Sequence, residues 1–328
     1  MPPRSPLPLR HGLSAAWVRT PHAGTVPEHE ATMRDWLLHR LPPRSREANG
    51  LHALAPGATA QLADGEQPSV DVDGFLSEGR FVWDDGTPVR ADDAYRAHRF
   101  VFFHRDLREE PVVPGDLVVL HQDERIVVVD KPSFLSSIPR GSHVVQSVVV
   151  RARAELGMPE LSPAHRLDRV TSGVLLLTTQ RQWRAAYQGI FEDRTTRKTY
   201  RALAAYDMAR EEPTVIRNHI TKPTGQWQAA VVPDAPVNAE TLVELESRVG
   251  NELAIYRLTP RTGRTHQLRL HLHGLGIPIV GDPLYPTVTV TDVDDFSTPL
   301  QLLASELAFV DPVDGSARHF TARRTLPL

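Results

Sequence analysis

His165-Arg166-Leu167-Asp168-Arg169-Val170-Thr171-Ser172-Gly173 runs directly into Val174-Leu175-Leu176-Leu177-Thr178-Thr179. The second half is a short, nearly unbroken apolar run, the pattern of a strand buried on both faces. The first half is polar and carries Thr and Ser, which favour turns. Asp168 therefore sits on a loop anchored by a rigid strand, a setting that suits a nucleophile or a base. A carboxylate between two arginines reads as readily as a structural ion pair. The neighbouring segments have to decide.

Working outward, the same alternation of strands and helices continues on both sides. Ile126 to Val129 is a β-branched run that stops at Asp130-Lys131-Pro132, a strand entering a turn. Ser142 is placed to cap a helix with Val144, Val145, Val148, Val149, Ala152 and Leu156 on one side. Trp183 to Phe191 fits a second helix, and Lys198 to Ala205, Thr241 to Glu246 and Glu252 to Thr259 read as strands. Nearer the N-terminus, Thr32 to Leu41 forms an amphipathic helix with Met33, Trp36, Leu37 and Leu41 on one face. Ala55 to Pro68 reads as a loop. Phe81-Val82-Trp83 before Asp85-Gly86 signals a hairpin, and Ala97 to His104 a further strand. Pro111 to Pro114 reads as a linker, so the expected organisation is residues 1–118 and 119–328.

The balance of residues bounds the function classes. At 328 residues two domains are the default, and 41% hydrophobic against 23% charged residues allows a sizeable core. The absence of cysteine excludes disulfides, thiolate nucleophiles and cysteine-ligated metals. No run of about 18 apolar residues stands out, and the N-terminus lacks a signal peptide's apolar core, so the expectation is a cytoplasmic protein without a membrane partner. The formal net charge of −3 argues weakly against nucleic acid. Its distribution argues the other way. Arg166, Arg169, Arg181, Arg184, Arg194, Arg197, Lys198 and Arg201 crowd one stretch, and Arg261, Arg264 and Arg269 another. No metal is expected, because His266, His271 and His273 do not share a helix face at i, i+4.

HRLDRVTSG before an apolar strand closely resembles the signature loop of the RluA family of pseudouridine synthases. Three more stretches resemble that family in the same order: IVVVDKPSFLSSIPRG (126–141), RKTYRALA (197–204) and PRTGRTHQLRLHLHGLGIPIVGDPLY (260–285). The resemblance runs from about Asp123 to the C-terminus, and its agreement at several places makes it far more specific than any single motif. It implies an α+β catalytic domain with a mixed, mostly antiparallel central sheet, flanking helices and a catalytic cleft, preceded by a small N-terminal α+β domain. It also implies the isomerisation of a uridine to pseudouridine in structured RNA, without cofactor or metal, by a monomer. Large-subunit ribosomal RNA is the first expectation for the substrate and transfer RNA the second.

Site residues follow from the same resemblance. Asp168 matches the family's carboxylate, acting on the ribose anomeric carbon or by deprotonating the sugar. Tyr200 matches its active-site tyrosine, Arg264 the basic residue paired with the carboxylate, and Leu268 the apolar residue beneath the base. Arg166 matches the residue that enters the gap left by the flipped base. His165, Arg169, Arg261, His266 and Gln267 are expected as wall or phosphate contacts.

Phe75 to Val82 and Asp84 to Val89 are similar to the second half of the RNA-binding domain named after ribosomal protein S four. The chain departs from that domain in bearing acid at Asp84, Asp85, Asp92 and Asp93, which points to a degenerate module. It departs from the family again at Ala304, where relatives commonly carry a histidine. Two competing readings are an inactive RNA-binding protein of the same fold and a glycosidic-bond hydrolase, the latter requiring a second carboxylate 5–10 Å from Asp168.

Overall fold

The computed structural model describes residues 3–326 apart from 26, 28, 29, 42–69, 108 and 140–142. The expected loop Ala55 to Pro68 and the expected cap Ser142 lie outside the described residues. The chain divides into two compact units, Met1–Glu109 and Glu110–Leu328. The division falls ahead of the expected boundary for a packing reason. Val113 and Leu117 are buried in the main core of the second unit, and the Glu110 carboxylate accepts the backbone N–H groups of Val144, Val145 and Gln146.

The first unit has strand β1 (Ala16–Arg19), helices α1 (Met33–Arg40) and α2 (Val72–Ser77), and strands β2 (Val82–Trp83) and β3 (Phe100–Phe103). The strands form an antiparallel sheet in the order β1-β3-β2. Thr32 caps α1 by accepting the Asp35 N–H, and Met33, Trp36, Leu37 and Leu41 are buried together against Phe75, Phe81, Trp83, Val101 and Phe103.

The second unit holds β4 (Val118–Gln122), β5 (Ile126–Lys131), α3 (Val148–Leu156), β6 (Ser162–Pro163), β7 (Ser172–Thr178), α4 (Arg184–Glu192), β8 (Arg197–Ala205), β9 (Thr214–Asn218), β10 (Ile220–Thr221), β11 (Ala230–Val231), β12 (Ala239–Val249), β13 (Leu253–Pro260), α5 (Gln267–Gly274), β14 (Leu302–Val310) and β15 (Ala317–Thr321). Helix α3 begins at Val148, so Val144 and Val145, expected on its face, precede it. Strands β10 and β11 pair as a separate hairpin. The others form a ten-stranded sheet whose main path is β4-β5-β7-β14-β8-β13-β12-β9. This is an α+β fold, and β7 with β14 is the sheet's parallel pair. Residues of β5 and β7 are buried throughout, as their unbroken apolar runs require.

That parallel pair fixes the Asp168 loop. Ala304 of β14 stands opposite Gly173 of β7 on one side and Tyr200 of β8 on the other. Gly173 has φ +110°, and a Cβ there would lie 2.2 Å from the Ala304 carbonyl oxygen. Glycine is thus required where the loop enters the sheet. Ala304 is buried within the main core, a small packing residue between Gly173 and Tyr200.

Candidate active site

A cavity of about 730 Å³ opens between the 165–171 loop, the start of β8 and the segment from Pro260 into α5. Of the ten residues singled out from the sequence, Asp168, Tyr200, Arg264, Arg166, Leu268, His165, Arg169, His266 and Gln267 all line it. Arg261 does not; it is exposed and pairs with Glu240 at 3.5 Å.

The loop holding Asp168 is fastened from three directions. Its Asp168 carbonyl accepts the Thr171 N–H. Ser137 exchanges two hydrogen bonds with the Leu167 backbone, donating to its carbonyl at 2.7 Å and accepting its N–H at 3.0 Å. The fully buried Lys131 ammonium donates to the carbonyls of Pro132, Leu135 and Arg169 at 3.0, 2.7 and 3.0 Å. Burial pushes Lys131 down to about 7, opposed by the Asp168 charge. Lys131 was read in the sequence only as part of a turn. Its signal was a lysine closing a buried strand, a place where an ammonium must find acceptors.

The cation beside Asp168 differs from the expected one. Arg269, in α5, places Nη1 3.6 Å from Asp168 Oδ2. The guanidinium is 2% exposed and is held from behind by the buried Asp282, at 2.8 and 2.5 Å. This two-pronged geometry suits a guanidinium and no other side chain. Arg264, expected in that role, is exposed and donates to the Asn238 carbonyl at 3.3 Å. The physical reason is its position: Arg264 lies in the turn before α5, while Arg269 lies inside the helix and faces the core.

Tyr200 packs half-buried against the main core, and burial together with the Asp168 charge raises its hydroxyl pKa, so the phenol stays protonated. Leu268 is buried in the first turn of α5. Gln267 is engaged internally: its amide donates to Glu240 O and Thr241 Oγ1, and its carbonyl accepts from Thr262 Oγ1 and Arg264 N. It shapes the turn and has little left for a phosphate. His165 accepts the Leu176 N–H and stacks on Phe191 with ring centroids 4.3 Å apart. Burial pulls His165 down to about 3 and His266 to about 4, so both stand in the wall as neutral rings. His266 adopts a left-handed φ of 58° and bonds Tyr285 Oη at 3.1 Å. Arg169 lies over Phe134, 5.5 Å from the ring centre.

Cations at the wall are Arg166, Arg169, Arg194, Lys198, Arg264 and Arg269. Sequence reasoning named Lys198 only as one of a basic crowd; here its ammonium donates to the Thr262 carbonyl at 3.3 Å, joining β8 to the turn before α5. The carboxylates among the lining residues are Asp168 and the exposed Glu192. Such a site offers one oriented carboxylate, a protonated phenol, an apolar floor and a cationic rim. Among the described residues, no helix is long and apolar enough to cross a membrane.

Comparison with known proteins places this arrangement. Residues 125–274 match the family described as RNA pseudouridylate synthase. The dual-specificity RNA pseudouridine synthase RluA of Yersinia pestis is 32% identical over 205 residues, covering 62% of this chain and 97% of that protein. Its namesake from Pasteurella multocida is 33% identical over 207 residues, covering 63% and 92%. Among solved structures, human RNA Pseudouridylate Synthase Domain Containing 4 aligns with a TM-score of 0.50 at 26% identity, over 64% of this chain and 88% of that one. Human RNA Pseudouridylate Synthase Domain Containing 1 shares the fold, with a TM-score of 0.52 at 22% identity over 65% and 86%.

Proposed function

The chain belongs to the RluA family of RNA pseudouridine synthases, and from that premise we propose that it isomerises a particular uridine of a folded RNA, with Asp168 as the acting carboxylate. The observation that carries this reading is the Asp168–Arg269–Asp282 array at the cavity wall. A buried, doubly held guanidinium orients a single carboxylate toward an open space, and Tyr200 and Leu268 line the same cavity.

The reaction detaches uracil from ribose at N1, turns it and rejoins it through C5, with loss of the C5 proton and gain of one at N1, so that atoms balance. The base must leave its stack to be reached. Asp168 acts either on the anomeric carbon or by taking a proton from the sugar. Tyr200 offers an aromatic face to the uracil and a hydroxyl that retains its proton. Arg166, exposed at the cavity edge, has the planar cation needed to fill the gap left in the RNA. Arg194, Lys198 and Arg264 supply phosphate contacts, which position the RNA, while the flipped base supplies specificity. Large-subunit ribosomal RNA is our first substrate class, on the likeness of residues 75–89 to the S-four module, and transfer RNA the second.

The test is to incubate the purified chain and its Asp168→Asn variant with RNA from cells lacking the gene, then map pseudouridine by chemical derivatisation and sequencing. New pseudouridine with the wild type alone supports the reaction and the carboxylate together. Tight RNA binding without pseudouridine from either protein would favour a binding-only role.

A further inference from the structure

We infer that the outer face of the β1–β3 pair in the first unit is a stacking platform for a single-stranded RNA segment, centred on Trp17, Phe100 and Arg19. This rests on the reading of RNA as the substrate, and it assigns a partner to a unit that the family match at 125–274 does not reach.

The argument begins with alternation along the strands. Ala16 and Val18 turn toward the helices and pack with Val101 and Phe103. Trp17 and Arg19 must then point the other way, opposite Phe102 and Phe100 respectively. Leu7, Ala15 and Val82 cover Phe102, but the cover stops there. Trp17 is 47% exposed, and among the described residues only Trp227 is another tryptophan on the exposed surface. Its ring meets Phe100 edge-on at 5.5 Å, and Phe100 lies parallel-stacked along Phe102 at 6.4 Å. The Arg19 guanidinium sits 5.7 Å from the Phe100 ring centre. An exposed indole beside a second ring and a guanidinium is the arrangement on which an unpaired base can stack.

Charge selects the occupant. Residues 3–25 and 96–105, which supply β1, β3 and their flanks, contain no Asp or Glu. They carry Arg4, Arg10, His11, Arg19 and His22 in the first segment and Arg96, His98, Arg99, His104 and Arg105 in the second. Arg10 and His11 lie close enough to His104 to depress its protonation, after burial, and His22 meets His98 at 5.6 Å at the other end. Acid on this unit is partly answered: Asp73 by Arg34 at 2.7 Å, while Asp84 and Asp85 share Arg99 of the β3 flank at 2.6 and 2.8 Å and so occupy that cation. One guanidinium thus offsets half the charge of the Asp84–Asp85 pair, while the strand pair presents exposed Trp17 and half-buried Phe100 beside Arg19, with Arg10 and His11 toward one end and His22 and His98 at the other. Rings on which bases stack, flanked by phosphate-binding cations, are the recurring means of holding unpaired RNA. An acidic peptide would use the cations but gain nothing from Trp17.

The experiment uses the full chain and a short fluorescein-labelled single-stranded RNA of mixed sequence. Trp17→Ala combined with Arg19→Ala should weaken binding by about 5- to 100-fold, the worth of one or two stacked bases. In a Trp227→Phe background, Trp17→Phe should keep most of the affinity yet lose the RNA-induced quenching of exposed tryptophan emission. Unchanged melting temperatures establish that the variants fold. Double-variant binding as tight as wild type would overturn the platform, as would RNA quenching that survives Trp17→Phe in the Trp227→Phe background, or polyglutamate competing as well as RNA. The two readings fail separately. Pseudouridine formed by a wild type whose RNA affinity ignores Trp17 removes the platform alone. RNA held at Trp17 by a protein that makes no pseudouridine removes the catalytic reading alone.

Discussion

Arg269 Nη1 lies 3.6 Å from Asp168 Oδ2, and the same guanidinium is locked on its other side to the fully buried Asp282. Asp168 is thereby held by a group that is itself immobilised, and Asp282 also accepts the Leu284 and Tyr285 N–H groups. Removing Arg269 leaves Asp282 buried and uncompensated. Arg269→Ala should cost about 3–5 kcal/mol of stability. Arg269→Lys keeps the charge but cannot hold two carboxylates at once, and the misplaced Asp168 should lower kcat by about 10²-fold with a smaller loss of stability. Urea melts and single-turnover assays on both variants check this; a Lys variant with wild-type kcat would remove the positioning role.

Arg264 provides the contrast. Exposed and bonded only weakly to the Asn238 carbonyl, it is free to meet a phosphate. Arg264→Ala should raise KM, leave kcat near wild type, and reduce the salt dependence of RNA binding by about one phosphate contact. If kcat collapses as in the Arg269 variants, Arg264 is the carboxylate's partner in the bound state.

What could be read from the sequence follows from how local each feature is. Strand β7 and the loop before it announced themselves, because a strand buried on both faces needs an unbroken apolar run. Helix α1 did so too, because Thr32 caps it locally and its apolar spacing is regular. The start of α3 was hidden, since the N–H groups of Val144 to Gln146 go to Glu110, far away in sequence. Arg269 was visible only as one basic residue among several. Its role depends on Asp282, across a turn, and on which face of α5 points inward, and neither is set by spacing. Gln267 and His165, expected as wall or phosphate contacts, do line the cavity, but spacing could not show that their hydrogen bonds go to backbone groups and threonine hydroxyls of the protein itself.

Gly173 tests the joint between loop and sheet. An added methyl group would meet the Ala304 carbonyl oxygen at 2.2 Å, in a backbone conformation (φ +110°) that side chains rarely adopt. Gly173→Ala should destabilise by at least about 2 kcal/mol, combining strain and clash. Because Ala304 also faces Tyr200, the variant should lose activity even where it remains folded. Normal activity in a folded Gly173→Ala protein would mean that the β7–β14 junction does not set the site.

Lys131 gives a pH signature. Its folded-state pKa lies below the unfolded one, at about 7 against 10.5. Below pH 7 both states carry the proton and the burial penalty is present in full. Between about 7 and 10.5 the unfolded chain binds a proton that the native protein has released, so this group's contribution to stability rises with pH, by at most about 1.4 kcal/mol per pH unit. Relative to Lys131→Met, the wild type should gain stability across that window. Urea unfolding on either side of it measures the difference; parallel pH curves for the two proteins would show that Lys131 does not titrate there.

Glu192 separates isomerisation from hydrolysis. It is the second carboxylate in the cavity wall, and a glycosidase works with two carboxyl groups facing one another across the bond they cleave. An isomerase needs one, because the detached uracil is recaptured in place and no water has to be activated. Glu192 is exposed at the end of α4, and among the described residues no ion pair holds it as Arg269 holds Asp168. Glu192→Gln should therefore form pseudouridine within about 2-fold of the wild-type rate, the change usual for an exposed substitution. Neither protein should release free uracil on chromatography of the reaction. Uracil released by the wild type and abolished in Glu192→Gln would make the pair of carboxylates the working unit, and the chemistry a hydrolysis.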